Sequence, residues 1–183
     1  SLQEKTAVWL PSVIDELAHI PAGYSYVRYF DYRLNPEHPP LLKILSAIPL
    51  LFIQPNFPLE SSAWKNDVNG QWTIGTQFLY ESGNDADRII KWARIGPTLL
   101  TLLLIIFIYI WASDLIGGWW ALMPTALFAL SPTVLAHGHY VTTDIAATFG
   151  IFIAFYYFVK SLMRGTRRNI IFAGLAFGVA QML

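Results

Sequence analysis

The chain has 183 residues, 55% of them hydrophobic and 13% charged, with 12 basic and 12 acidic side chains and a formal net charge of zero. So apolar a composition excludes an ordinary soluble domain of this length and points to the bilayer as solvent, while the lack of a basic surplus excludes a nucleic-acid-binding surface. There is no cysteine, so neither disulfides nor thiolate metal sites contribute.

The chain opens at Ser1 without an initiator methionine or signal-like segment and closes at Leu183 inside an apolar run, the pattern of a fragment cut at both ends. Near the start, Ser12-Val13-Ile14-Asp15 has the spacing of a helix capping box, followed directly by Glu16. Asp15 is therefore either a capping acid or a functional carboxylate. His19 lies four residues on, on the same helical face as Asp15, where it can hydrogen-bond the carboxylate or share a metal with it.

The next motif runs from Asn35 through Pro36, Glu37, His38, Pro39, Pro40, Leu41 and Leu42 to Lys43. Its prolines hold Glu37 and His38 on stiff, extended backbone just ahead of an apolar helix. Lys43 falls near the N-terminal end of that helix, where the dipole does not favour a cation and an anion would neutralise it. The apolar run 41–53 contains Lys43 and Pro49 and gives only about 20 Å of helix, so it is expected to lie at the interface rather than cross. The polar stretch 56–87, with Gly70 and a Gly83-Asn84-Asp85 turn signal, is expected as ordered loop.

Beyond residue 92 the pattern changes to long uncharged runs. Residues 95–113 and 115–136 are each long enough to span the hydrocarbon, 140–159 carries the single charge Asp144 near its start, and 169–183 is a partial fourth span. Trp92, Trp111, Trp119 and Trp120 lie near the proposed boundaries, at the depth such rings prefer. The loop 160–168 holds four cations and no acid and is therefore cytoplasmic, which puts 1–94 and the turn around 137–144 on the outer face. The predicted fold is thus all-α, a polytopic transmembrane helical bundle (95–183) behind a large first extracytoplasmic loop with juxtamembrane helices (1–94).

Three clusters meet on that outer face: Asp15-Glu16 with His19, the Glu37-His38 segment, and His137-Gly138-His139 leading into Asp144. Asp144 has two readings. An acid entering an apolar span is costly unless it faces a wet cavity or a partner, yet it also suits the first turn of a helix at headgroup level, beside Thr142 and Thr143.

Together these motifs resemble the C-type (GT-C) glycosyltransferases, the membrane enzymes that include protein O-mannosyltransferases and the lipid A aminoarabinose transferase. The resemblance rests on the acidic pair Asp15-Glu16, then His38-Pro39-Pro40-Leu41 with Lys43, then Arg94 opening a span, then the turn from Pro132 through Ala136-His137-Gly138 into Thr142-Thr143-Asp144. It implies an integral enzyme of the plasma membrane that moves a sugar from a polyprenyl-phosphate carrier to an acceptor at the outer face. Under it, Asp15 matches the acceptor-activating base, with Glu16 and Asp144 in the catalytic set. Glu37, His38, Lys43, Arg94, His137 and His139 then surround the lipid phosphate, and Glu37 orients the cations or binds a divalent metal ion. The resemblance further implies a helix preceding Ser1, more spans than are present, and no activity from this stretch alone. Two other classes compete: a transporter or channel in which Asp144 and the histidines form an ion path, and a non-catalytic scaffold. The uncharged runs 95–113 and 115–136 argue against a path, which needs polar groups at several depths.

Overall fold

A computed structural model describes residues 14–183; the capping interaction expected from Ser12 lies outside them. Among the described residues the structure is helical throughout, without strands. Two compact units are distinguished: residues up to 95 together with 140–142, and 96–139 together with 143–183.

The first unit is built on α1 (Ile14–Tyr29), which carries Asp15 and Glu16 in its first turn and Arg28 in its last, both favourable to the helix dipole. Pro21 inside α1 has no amide, so the carbonyl of Leu17 loses its intrahelical partner. Gly75 comes against that carbonyl, where a Cβ would stand 2.0 Å from Leu17 O, so only glycine permits the approach. Gly75 belongs to α5 (Gln71–Thr76), which follows α2 (Pro40–Ala47), α3 (Leu50–Ile53) and α4 (Ser62–Lys65) and runs on into a π-helical turn, Gln77–Glu81. The unit ends in α6 (Ala86–Ala93), capped by Asp85, whose side chain accepts from the Arg88 amide at 3.0 Å.

Ile20 and Tyr24 of α1 pack with Leu50, Phe78, Ile90 and Val141 in one core, and Ala22 and Tyr26 with Leu34, Trp64 and Ile74 in another. The apolar stretch Pro40–Ile53 is divided into two short helices and is shorter than a span requires.

The second unit comprises α7 (Ile95–Ile116), α8 (Gly118–Ala129), α9 (Pro132–His137), α10 (Thr143–Met163) and α11 (Arg167–Met182). Two helical stretches, Ala86–Ile116 and Thr143–Met163, are long and apolar enough to cross a membrane. The run 115–136, expected as one continuous span, is instead two helices. Leu130 ends α8, Ser131 caps α9 by accepting from the Val134 amide at 3.2 Å, and Pro132 starts α9 where its missing amide costs nothing. The 12 residues of α8 make about 18 Å of helix. Helices α10 and α11 meet closely at Gly150, where a Cβ would lie 2.9 Å from Ala180 Cα, the small-residue contact typical of membrane helix pairs. On its other side α10 meets α7 through aromatic edges, Phe107 on Phe149 and Trp111 on Phe152, with ring centroids 5.9 and 5.1 Å apart.

Candidate active site

The two acids that open α1 have different fates because successive helical residues point about 100° apart. Asp15 is exposed, and no ion pair involves it among the described residues. Glu16 is fully buried and receives Arg94 Nε at 2.9 Å and Nη2 at 2.8 Å in a bidentate pair, plus the Val141 amide at 3.1 Å. The Arg94 guanidinium also lies over the Tyr140 ring, 4.7 Å from its centroid. Glu16, expected in the catalytic set, is thus held inside the unit, and Arg94, expected at the lipid phosphate, commits two donor nitrogens to it. A buried carboxylate is held only where its charge and lone pairs are matched, which the fork of a guanidinium does.

His19 sits next to this anchor. It bonds not to Asp15, as the helical spacing suggested, but to the Val141 carbonyl, at 2.8 Å from Nδ1. A carbonyl only accepts, so Nδ1 carries the proton and Nε2 the lone pair. Burial lowers the His19 pKa, and the nearby charges of Lys43 and His38 push in the same direction. The exposed His38 ring meets His19 edge-on with centroids 5.2 Å apart.

The loop carrying Glu37 and His38 is fastened from beneath by Lys43. Its side chain does not reach water: the residue is 1% exposed, and Nζ donates towards Asn35 O at 2.6 Å, His38 O at 2.8 Å, Asn35 Oδ1 at 2.9 Å and the Tyr26 hydroxyl at 3.0 Å. Tyr26 in turn donates to Leu34 O. Four acceptors thus surround three protons, and the anion inferred from the helix dipole is replaced by carbonyl and amide oxygens. Lys43, expected at the lipid phosphate, is thus bonded within the loop. Asn35 adopts φ +50°, a left-handed conformation that Asn tolerates better than most residues.

Glu37 is held on the exposed rim. Gln71 Nε2 donates to its Oε1 at 2.7 Å and Asn69 Nδ2 to its Oε2 at 3.3 Å. Its own backbone amide, then Gln71, His38 and Asn69, lower its pKa. Gln71 also accepts from Asn35 Nδ2 at 2.6 Å, so the Glu37 carboxylate and the Lys43 ammonium belong to one polar network. Among the described residues no three His, Asp or Glu side chains stand where they could share a metal ion.

Burial depresses the Lys43 pKa from 10.5 to about 8. Between those values the unfolded chain carries a proton at Lys43 that the folded chain does not, so this group makes stability rise with pH across the interval, while below about 8 its contribution is constant. Thermal unfolding followed over that range, compared with Lys43→Met, should show the rise in the wild type alone. A wild-type curve parallel to the variant's, or falling below it, would contradict the buried ammonium.

Asp144, His137 and His139 belong to the second unit. Asp144 is the second residue of α10 and exposed; with His137, Thr133, Phe128 and Thr148 it lines a recess of about 210 Å³. Gly138, which ends α9, is pressed against Thr101, whose hydroxyl lies within hydrogen-bond distance of both Pro97 O and Gly138 O.

Sequence reasoning had not found Asn69, Gln71 or Tyr26, none of which carries a charge or a motif of its own, and it had named Asn35 only as the start of the segment that leads to Lys43. It had also not found the pairing of Glu16 with Arg94 and Val141, which are 78 and 125 positions away.

Neither the curated proteins nor the solved structures gave a match to the chain. Residues 13–182 do match the family described as Dolichyl-phosphate-mannose-protein mannosyltransferase, a range that includes every candidate residue above. The chain therefore belongs to the dolichyl-phosphate-mannose-protein mannosyltransferase family of integral-membrane glycosyltransferases.

Proposed function

We propose that the protein transfers a sugar from a polyprenyl-phosphate carrier to an acceptor at the outer face of the membrane, with Asp15 as the base that activates the acceptor. The observation that carries this reading is the split within the acidic pair: Glu16 is locked by Arg94, which leaves Asp15 exposed on the same helical turn. A base must be able to reach the proton it takes, and only Asp15 of the two has that access.

Breaking the bond between the anomeric carbon and the phosphate oxygen leaves a stable phosphate anion, which needs positive charge nearby rather than a proton. His38 is the candidate for direct contact. Lys43 acts from behind, its ammonium fixed against the His38 carbonyl, and Glu37 with its amide partners keeps the loop in register. Glu16 and Arg94 hold α1 and the 140–142 segment for this chemistry. A transporter path finds no support beside the family match.

The test is donor choice. Membranes containing the protein should turn over a sugar on polyprenyl phosphate and leave the corresponding nucleotide sugar untouched; the opposite preference would overturn the reading.

A further inference from the structure

The second unit carries a cationic feature that the transfer reaction does not use. Where α7 and α10 end, Lys160 Nζ donates to the Tyr156 hydroxyl at 2.6 Å, and that hydroxyl donates to Asp114 Oδ2 at 3.3 Å. The ammonium itself stands 3.8 Å from the same carboxylate oxygen. With Trp111, Met163 and Arg164 these side chains line a recess of about 190 Å³. That equals the share of liquid volume held by about six waters, room for a phosphodiester and part of its glycerol.

Arg164, just past the end of α10, donates its amide to the Lys160 carbonyl at 3.0 Å and lines the same recess, and Arg167 and Arg168 open α11. Among the described residues none of these three arginines has an ion-pair partner, and Lys160 and Arg164 share the recess with the single carboxylate of Asp114.

On a soluble protein such a run would be a solvated loop. Three observations argue for a ligand here. The recess lies at the ends of the two helical stretches long and apolar enough to cross a membrane, hence at headgroup depth. Lys160 is held over the Tyr156 ring, 4.8 Å from its centroid, instead of ranging through solvent. Trp111 packs edge-on against Phe152 and Tyr156, at 5.1 and 5.7 Å between centroids, and so forms a rigid apolar wall beside the cations.

We propose that this recess binds the phosphate of an anionic membrane phospholipid, with Lys160 and Arg164 as its ligands and Trp111 and Tyr156 as the wall for its glycerol and upper acyl chains. Asp114 sets the strength of the site by opposing the anion.

The full chain placed in nanodiscs of phosphatidylcholine mixed with phosphatidylglycerol, followed by native mass spectrometry of the lipids that stay bound, tests this. The wild type should retain phosphatidylglycerol in excess of its share. Lys160→Gln with Arg164→Gln should lower that retention by about tenfold or more, since one cation near an anionic surface is worth roughly fivefold. Asp114→Asn should raise it, an increase that mere damage to the fold would not produce. Lys160→Arg with Arg164→Lys should preserve it. No enrichment in the wild type would overturn the proposal, as would an unchanged or lower level in Asp114→Asn. An equal loss from Arg167→Gln with Arg168→Gln would show diffuse surface charge instead of a site, and displacement by inorganic phosphate would show a general anion site rather than a lipid one.

Discussion

Asp15→Asn should lower sugar transfer by roughly 10²–10⁴-fold, the usual worth of a positioned general base, while leaving the binding of the carrier-linked donor nearly unchanged. The two effects separate because the base acts on the acceptor's proton in the transition state and does little for the donor in the ground state. The substitution should barely affect stability. Asp15 is exposed and in no ion pair among the described residues, so the fold loses at most a first-turn dipole interaction of about 0.3–1 kcal/mol. Initial rates and donor affinity measured on the same preparation check the split. Activity within a few-fold of wild type would reduce Asp15 to a helix-terminal acid and remove the central residue of the proposed mechanism.

Asp15 could be singled out from the sequence, but its distinction from Glu16 could not. Two adjacent acids look alike in a string. What separates them is Arg94, 78 residues further on, and the Val141 amide, 125 residues further on, and no local pattern encodes contacts of that range. Helical class and the strongest apolar runs were legible because both rest on local physics: the uncharged stretch 95–113 became most of α7, and the run 140–159, with its single charge Asp144, became most of α10. The division of 115–136 was less legible, although its cause, a Ser-Pro pair that caps and starts a new helix, stands in the sequence at Ser131 and Pro132. Hydropathy averages over such a break.

Lys43 shows how a sound local argument can reach the wrong partner. A cation near a helix N-terminus does need compensation, and that much was readable. The fold supplies it from neutral oxygens of Asn35, His38 and Tyr26, drawn together by the left-handed turn at Asn35. In the proposed mechanism a lysine bonded to the loop beneath His38 positions that loop and contributes charge at one remove. Glu37, too, has partners that the sequence did not show, the side-chain amides of Gln71 and Asn69.

The largest loss of stability is expected at the anchor. Glu16→Gln keeps the shape of the side chain but removes its charge, taking from Arg94, whose side chain is 16% exposed, the carboxylate of the bidentate pair and turning an amide NH₂ towards the guanidinium or the Val141 amide. Removing one partner of a buried pair typically costs about 3–5 kcal/mol, because the other charge stays desolvated. For a chain of this length that corresponds to a fall in Tm of roughly 10 °C. Thermal unfolding in detergent measures the fall, and hydrogen exchange should show the Val141 amide losing protection, since Glu16 is its acceptor. The pair also predicts a rescue. Replacing both residues with methionine removes two costly charges together, so Glu16→Met with Arg94→Met should recover much of what Glu16→Gln loses, although the Val141 amide stays without its acceptor. A Glu16→Gln protein that melts within about 1 °C of wild type would mean less than about 0.5 kcal/mol rests on the contact, which is the behaviour of a solvent-exposed pair and not of a buried one. In that event Glu16 would regain its standing as a candidate acid alongside Asp15.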